Sequence, residues 1–283
     1  MASGVSVEVA SEKTEFAIGD PILLDIVYRN DGKETWEVEE KSAPVFCNEF
    51  YVRDAKGTTM PNPYDDVESS GPSFFSTRTH TLRPGATVII RKYLNECVAF
   101  ERPGEYVVAA RAGNDHLESL WNTRLLEPGS RQRERRCPSK PLKVKILSAP
   151  DKKVRDATTS DIKCLWGHPE LSKREEYARY RPYMTDDNGK SDALRLLVFR
   201  RDQELLPFWL ELLGNDRVPF VWEGLAGLPD REAVVKATEE RVNGPQRDRY
   251  LMLHVALAVP KTEDADWKEV NTRRDRMTAE LSK

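Results

Sequence analysis

Long apolar runs are missing from this chain: no stretch approaches the roughly eighteen uncharged apolar residues a membrane-spanning helix needs, so no helical span is expected. An excess of one charge is missing too. Lys and Arg total 44 against 47 Asp and Glu, a net charge of -3, which excludes a uniformly basic nucleic-acid binder and a supercharged acidic chain. The beginning carries no basic segment leading into an apolar one, and Met1 to Gly4 read as a vector-derived start or a trimmed mature end. The compartment is therefore open between cytoplasm and export.

Reactive signatures are scarce as well. Cys47, Cys97, Cys137 and Cys164 form no CxxC pair, which removes the usual zinc-ribbon and thioredoxin patterns. Three disulfide pairings are possible. Two bridges would fit an oxidising compartment, and four scattered thiols would equally fit a reduced one. The four histidines, His80, His116, His168 and His254, make no HExxH or similar set. Only Cys164 and His168 could share a helix face; two ligands are an incomplete site, and Gly167 and Pro169 end the helix there. His254 reads as a core histidine. No GxSxG elbow is present, nothing in the sequence places a base beside Cys97, and the 15 glycines never form GxGxxG or GxxxxGK. Asp65-Asp66 and Asp186-Asp187 match no calcium loop and read as solvated pairs. No cofactor and no metal are expected.

What is there is enough to fold. The 283 residues, 39% of them hydrophobic, can build one large or two ordinary domains. Up to about residue 148 the apolar period is two: Val5, Val7 and Val9, then Ile22, Leu24, Ile26 and Tyr28, then Trp36 and Val38, then Phe50 and Val52. Thr87 to Tyr93, Tyr106 to Arg111, and Leu142, Val144 and Ile146 continue it, with Lys143 and Lys145 on the opposite face. The turn signals are Gly19-Asp20-Pro21, Asp54 to Gly57, Arg83-Pro84-Gly85 and Arg102-Pro103-Gly104, and Asn30-Asp31-Gly32 reads as a hairpin turn. About seven short strands so separated predict an antiparallel sandwich. Long loops interrupt it at 61–81 and at 113–138.

Past Ser148-Ala149-Pro150 the period becomes 3.6. Ser172 to Glu175 is a capping-box pattern that predicts a helix start. Helices are expected at about 191–200, 202–213, 218–227, 230–243, 245–258 and 264–281. Leu194 to Asp202, Val221 to Asp230 and Leu251 to Pro260 repeat at offsets near 28 and 30, each an apolar helix before a polar turn. Such spacing predicts stacked helical hairpins. Pro207, Pro219 and Pro245 stand at or near helix starts, where proline is tolerated, and the charged segment Glu269 to Arg276 resembles a polar cap.

The segment Tyr93-Leu94-Asn95-Glu96-Cys97-Val98-Ala99-Phe100-Glu101-Arg102-Pro103-Gly104-Glu105-Tyr106 resembles a strand, turn and strand of bacterial immunoglobulin-like modules, including the intracellular proteinase inhibitor domain. Phe16 to Ile22 and Leu82 to Gly85 are similar to the same modules. With Leu225 to Arg231, the whole resembles bacterial proteins that join such a module to HEAT-like repeats. The resemblance implies an immunoglobulin-like β-sandwich over 1–148 and a HEAT-like α-helical repeat domain over 149–283. Its motifs are structural turns, so it carries no catalytic residues across.

Two surfaces invite binding. Residues 131–155 hold ten basic residues against Glu134 and Asp151, a local net of +8, so the rest of the chain carries -11. Arg131, Arg133, Arg135 and Arg136, near Trp121 of the same long loop, could steer an acidic partner. The plainer reading makes Lys143 and Lys145 guards of a strand edge and the arginines solubilising. Nucleic acid is disfavoured, because no stacking or groove-reading elements accompany the charge. Phe208, Trp209, Phe220 and Trp222 crowd the first two repeats; most belong to the core, and Trp209 or Trp222, if exposed, would anchor a protein ligand. The expected role is non-catalytic binding of a protein partner. The alternatives are proteinase inhibition, which the module's similarity implies, and an enzyme whose site forms between the domains.

Overall fold

The computed structural model describes residues 4–41, 50–60, 77–110, 139–185, 188–213 and 218–241. The chain is an α plus β multidomain protein, with mostly antiparallel β-sheets followed by helices. Its two compact units meet in sequence at Ala149 and Pro150.

Nine strands make up the described part of the first unit: β1 (Val5–Ala10), β2 (Glu15–Ala17), β3 (Leu23–Asn30), β4 (Trp36–Lys41), β5 (Phe50–Asp54), β6 (Thr77–Leu82), β7 (Thr87–Tyr93), β8 (Gly104–Ala110) and β9 (Leu142–Leu147). They form a three-stranded sheet β1-β3-β7, a four-stranded sheet β2-β9-β8-β5 and a ribbon β4-β6. Every pairing is antiparallel except β2 with β9. The period-two reading places the core correctly: Val5, Val7, Val9, Ile22, Leu24, Ile26, Tyr28, Val38, Phe50, Val52, Val144 and Ile146 are all buried. With Leu82, Ile90, Tyr106 and Val108 they form one apolar cluster fed by all three sheets.

Asn30-Asp31-Gly32 is not a hairpin. β3 pairs with β1 and β7, and β4 pairs with β6, so the chain changes sheets here. The buried Asn30 side chain organises the crossing: its Nδ2 donates to Glu34 O at 2.7 Å and Leu82 O at 2.9 Å, and its Oδ1 accepts from Gly32 N at 2.9 Å. An Asn that turns its amide inward can fix a corner as firmly as one that adopts positive φ. The other turns behave as their residues demand, with Gly19, Gly57 and Gly85 at φ of 88°, 84° and 77°. After β7 a 3₁₀ turn, Leu94–Glu96, is pinned to the start of β3, where Asn95 Oδ1 accepts from Ile22 N at 2.7 Å and its Nδ2 donates to Asp20 O at 3.0 Å.

Only part of β9 is a sheet edge among the described residues, so the guard reading fails for Lys145 and holds no further than Lys143. β9 lies between β2 and β8, and Lys145 pairs with Glu15 of β2, Nζ to Oε1 at 3.0 Å. β2 covers only Lys145 to Leu147, so the part of β9 that carries Lys143 has a neighbour on the β8 side alone.

The second unit contains α1 (Lys152–Gly167), α2 (Gly189–Arg200), α3 (Leu206–Leu212), α4 (Val221–Ala226) and α5 (Arg231–Glu239), with 3₁₀ segments Pro169–Lys173, Glu175–Tyr183 and Gln203–Leu205. α1 falls on a stretch that apolar periodicity does not mark, because only Ile162 and Leu165 of it are buried; Asp151 caps it by accepting from Val154 N. Ser172 does not open a capping box. Its Oγ donates back to Pro169 O at 2.8 Å, and the 3₁₀ segment begun at Glu175 has no side-chain cap. Pro207 stands in the first turn of α3. The expected helices at 245–258 and 264–281, and the repeat Leu251 to Pro260, lie outside the described residues.

Among the described residues no helix is long and apolar enough to cross a membrane.

Candidate functional site

The helical unit is built around equivalent turns 28 residues apart, Arg201-Asp202-Gln203 and Pro229-Asp230-Arg231. Each aspartate caps the helical turn after it: Asp202 Oδ1 accepts from Glu204 N at 3.2 Å and Asp230 Oδ1 from Ala233 N at 2.9 Å. The turns are bonded side by side. Arg201 Nε donates to Gly227 O at 2.7 Å, and Gln203 Oε1 accepts from Asp230 N at 3.0 Å. Arg201 takes up φ 48°, a left-handed conformation that ends α2 and turns its guanidinium onto the next turn. Arg201 Nη1 and Gln203 Nε2 are buried without a hydrogen-bond acceptor, so the stack is donor-rich.

Trp209 is fully buried and serves the core. It meets Phe208 edge-on at 5.2 Å, and Phe208 meets Trp166 at 5.4 Å. Gly224 of α4 faces the Trp209 indole so closely that a Cβ there would run into the ring. Trp222 of α4 is half-buried. Next to it, Phe220 sits at φ 64°, which a bulky side chain seldom adopts, with the Arg195 guanidinium 4.8 Å from its ring centre. Burial pushes the Glu223 carboxyl above its ordinary range, and Arg195 opposes that rise. Asp192 is buried and satisfied, accepting from Thr185 N and Oγ1 at 2.8 Å each.

The aromatic groups near α1 are similarly committed. Desolvation holds the Tyr180 hydroxyl up at about 12, with Arg179 opposing, and Arg179 bonds Asp161 at 2.6 Å. Tyr177 is raised to about 12 by its hydrogen bond to the Cys164 thiol at 3.5 Å. Cys164 is free, whereas Cys97 is disulfide-bonded. His168 is exposed beside Glu170, and its backbone N donates to Cys164 O at 2.8 Å at the end of α1.

In the β unit, strand parity brings charge to the end of the core. Positions 38, 82 and 90 are apolar and buried; two residues on, at one end, stand Glu40, His80 and Lys92. His80 Nε2 lies 2.8 Å from Glu40 Oε2, and Lys92 Nζ 3.8 Å from Glu40 Oε1. Sequence reading missed this triad because it took 61–81 for a loop; Thr77–Leu82 is instead strand β6, whose alternation aims His80 to the same side as the buried Leu82. Glu40 thus stands between an imidazole and a lysine and makes a polar end to the core. Among the described residues no group of three or more His, Cys, Asp or Glu could hold a metal ion.

Of the described part of the basic region, Lys143 and Lys145 lie on β9, while Lys140 bridges to Glu8 of β1 and Lys152, Lys153 and Arg155 lie on α1. Register places Lys143, Val107 and Arg53 in one row across β9, β8 and β5, with Tyr51 opposite Ala109 in the next. Trp121, Arg131, Arg133, Arg135 and Arg136 lie outside the described residues, as do the loop 113–138 and residues 61–76 of the loop expected at 61–81, whose last residues belong to β6.

No family model and no curated protein matches the chain. Among solved structures it is similar to a β-glucosidase of Listeria innocua at 9% identity and TM-score 0.28, over 51% of this chain and 16% of that one. A β-glucosidase 3B of Thermotoga neapolitana aligns at 15% identity and TM-score 0.22, over 50% and 15%. The E. coli alpha-2-macroglobulin aligns at 10% identity and TM-score 0.26, over 97% of this chain and 22% of that one. The chain thus spans less than a quarter of each of these proteins, and at such TM-scores the likenesses carry no argument about function.

Proposed function

We propose that this chain is a non-catalytic protein-binding protein, an immunoglobulin-like β-sandwich over 1–148 followed by a HEAT-like helical array over 149–283, that takes an acidic protein partner. For the first domain, the support is in three details. The first strand region divides between sheets, β1 joining β3 and β2 running parallel to β9. Tyr106, near the start of β8, donates its hydroxyl to Arg102 O at 2.9 Å, the corner bond of immunoglobulin-like folds. All three sheets share one core. For the second, the support is the side-by-side bonding of equivalent turns, Arg201 to Gly227 and Gln203 to Asp230.

That turn-to-turn stacking is the observation that carries the reading. Stacked hairpins bury one face of every helix and leave a continuous surface, and surfaces of this kind bind macromolecules. Charge supplies the partner's chemistry: residues 131–155 carry a net of +8 in a chain of net -3. The test is capture of a partner, identified by mass spectrometry, with the parent chain and with Arg131, Arg133, Arg135 and Arg136 all changed to Ala. Loss of capture by the variant in low salt is expected. Equal capture in low salt would count against the charge being used.

A further inference from the structure

We propose that the ribbon β4-β6 is a hinged flap on the β unit, fixed at the end where Trp36 faces Leu82 and latched at the other by Glu40 on Lys92 of β7. The ribbon pairs with itself alone, from Trp36 opposite Leu82 to Lys41 opposite Thr77. Among the described residues no backbone hydrogen bond runs from it to either sheet. What ties it to the core is spread unevenly along its length. At one end Leu82 is fully buried, the half-buried Trp36 packs on the same cluster, and Asn30 Nδ2 donates to Leu82 O and Glu34 O. Val38 is buried at the middle. Beyond it, strand parity puts Glu40 and His80 where apolar residues would continue the core. The ribbon is therefore fastened by packing and a neutral amide at one end and by ionisable groups at the other.

One carboxylate makes the latch. Glu40 Oε2 lies 2.8 Å from His80 Nε2 across the ribbon, and Glu40 Oε1 lies 3.8 Å from Lys92 Nζ on β7. Among the described side chains of the ribbon, Glu40 alone forms an ion pair with a strand of either sheet. His80 is a positioning residue here, holding the carboxylate so that its second oxygen meets Lys92. The Lys92 side chain is 11% exposed and that of Glu40 27%, so water screens this pair less than an open surface bridge. β7 bonds to β3 on one side, and β6 stands beside it without bonding. Breaking the Glu40–Lys92 pair leaves only Val38 to hold the far end by apolar contact, while Leu82 and Asn30 keep the near end in place. Local opening then uncovers Val38 and the β6 side of β7, with the two sheets as the fixed frame.

The test is hydrogen exchange of the full chain, read peptide by peptide, in the parent, Glu40→Gln and Lys92→Met. Asp25→Asn is the control, because it breaks the Asp25–Arg91 pair, which joins β3 to the same strand β7 without touching the ribbon. Glu40→Gln and Lys92→Met break the latch from its two sides. Melting curves verify that the variants are folded; should Lys92→Met fail to fold, the nearly isosteric Glu40→Gln decides alone. In both latch variants, exchange over 37–41 and 77–80 is expected to quicken roughly threefold to tenfold, with β8 and β9 changed less than about twofold. The control is expected to change the ribbon by less than about twofold. Unchanged ribbon exchange in Glu40→Gln would overturn the proposal. So would quickening in Lys92→Met alone, equal quickening of β8 and β9, or a control that quickens the ribbon as much as the latch variants do.

Discussion

Asn30 in the β unit and Arg201 in the helical unit do the same job, tying one turn to another, with different completeness. The Asn30 side chain uses both amide hydrogens and its carbonyl, each with a partner at 2.9 Å or less. Arg201 makes one bond, to Gly227 O, and leaves Nη1 buried without an acceptor, as Gln203 does its Nε2. A buried donor without an acceptor costs about 1–3 kcal/mol, so Arg201 and Gln203 hold their turns together at a loss that Asn30 avoids. The β unit is consequently expected to be the rigid platform. The helical unit is expected to respond to pH and to substitution.

The comparison is tested most severely at Asn30. Changing Asn30 to Ala removes three hydrogen bonds, the one to Leu82 O buried, for an expected loss of roughly 2–4 kcal/mol in chemical denaturation. A loss under about 1 kcal/mol would mean that the corner is not what holds the sheets together. Next, Gly224→Ala forces a methyl into the Trp209 ring and should cost about 1–3 kcal/mol, read as a lowered unfolding midpoint and altered tryptophan fluorescence. Tyr106→Phe removes only the corner hydroxyl and should cost about 1 kcal/mol. Asp230→Ala should cost a similar or smaller amount, since it loses one helix cap and keeps the backbone bond to Gln203.

The smallest effect concerns Glu223 and is visible only as a pH trend. Its carboxyl is raised in the folded chain, so the folded state holds this proton more tightly than the unfolded state. Stability from this group is complete below its unfolded pKa and falls as pH rises through the folded one. Glu223→Gln should therefore melt higher than the parent at pH 7 and no higher at pH 4. A parent that loses no more stability than the variant between those two pH values would show the carboxyl to be solvated.

Strand positions were legible because burial on one face alone forces alternation: every inward residue named from Val5 to Tyr28 is buried. Pairing was less so. Asn30-Asp31-Gly32 has the composition of a hairpin, yet the alternation says nothing of which strand lies beside which, and long-range bonds from Asn30 to Leu82 decide the path. The helices after Asp202 and Asp230 were visible in the sequence, whereas α1 was hidden because so few of its residues are buried. For binding, the fate of Trp209 depended on the approach of Gly224, a contact across two helices. The basic row was half legible: Lys143 stood out in the sequence, but Arg53 joins it only through the register of β5 and β8.

Partner capture in low salt by the full chain, beside the variant with Arg131, Arg133, Arg135 and Arg136 all changed to Ala, tests the protein-binding reading most directly. Capture of an acidic protein by the parent and its loss in the variant are predicted. Equal capture by the two chains, or capture of no protein by the parent, would contradict it.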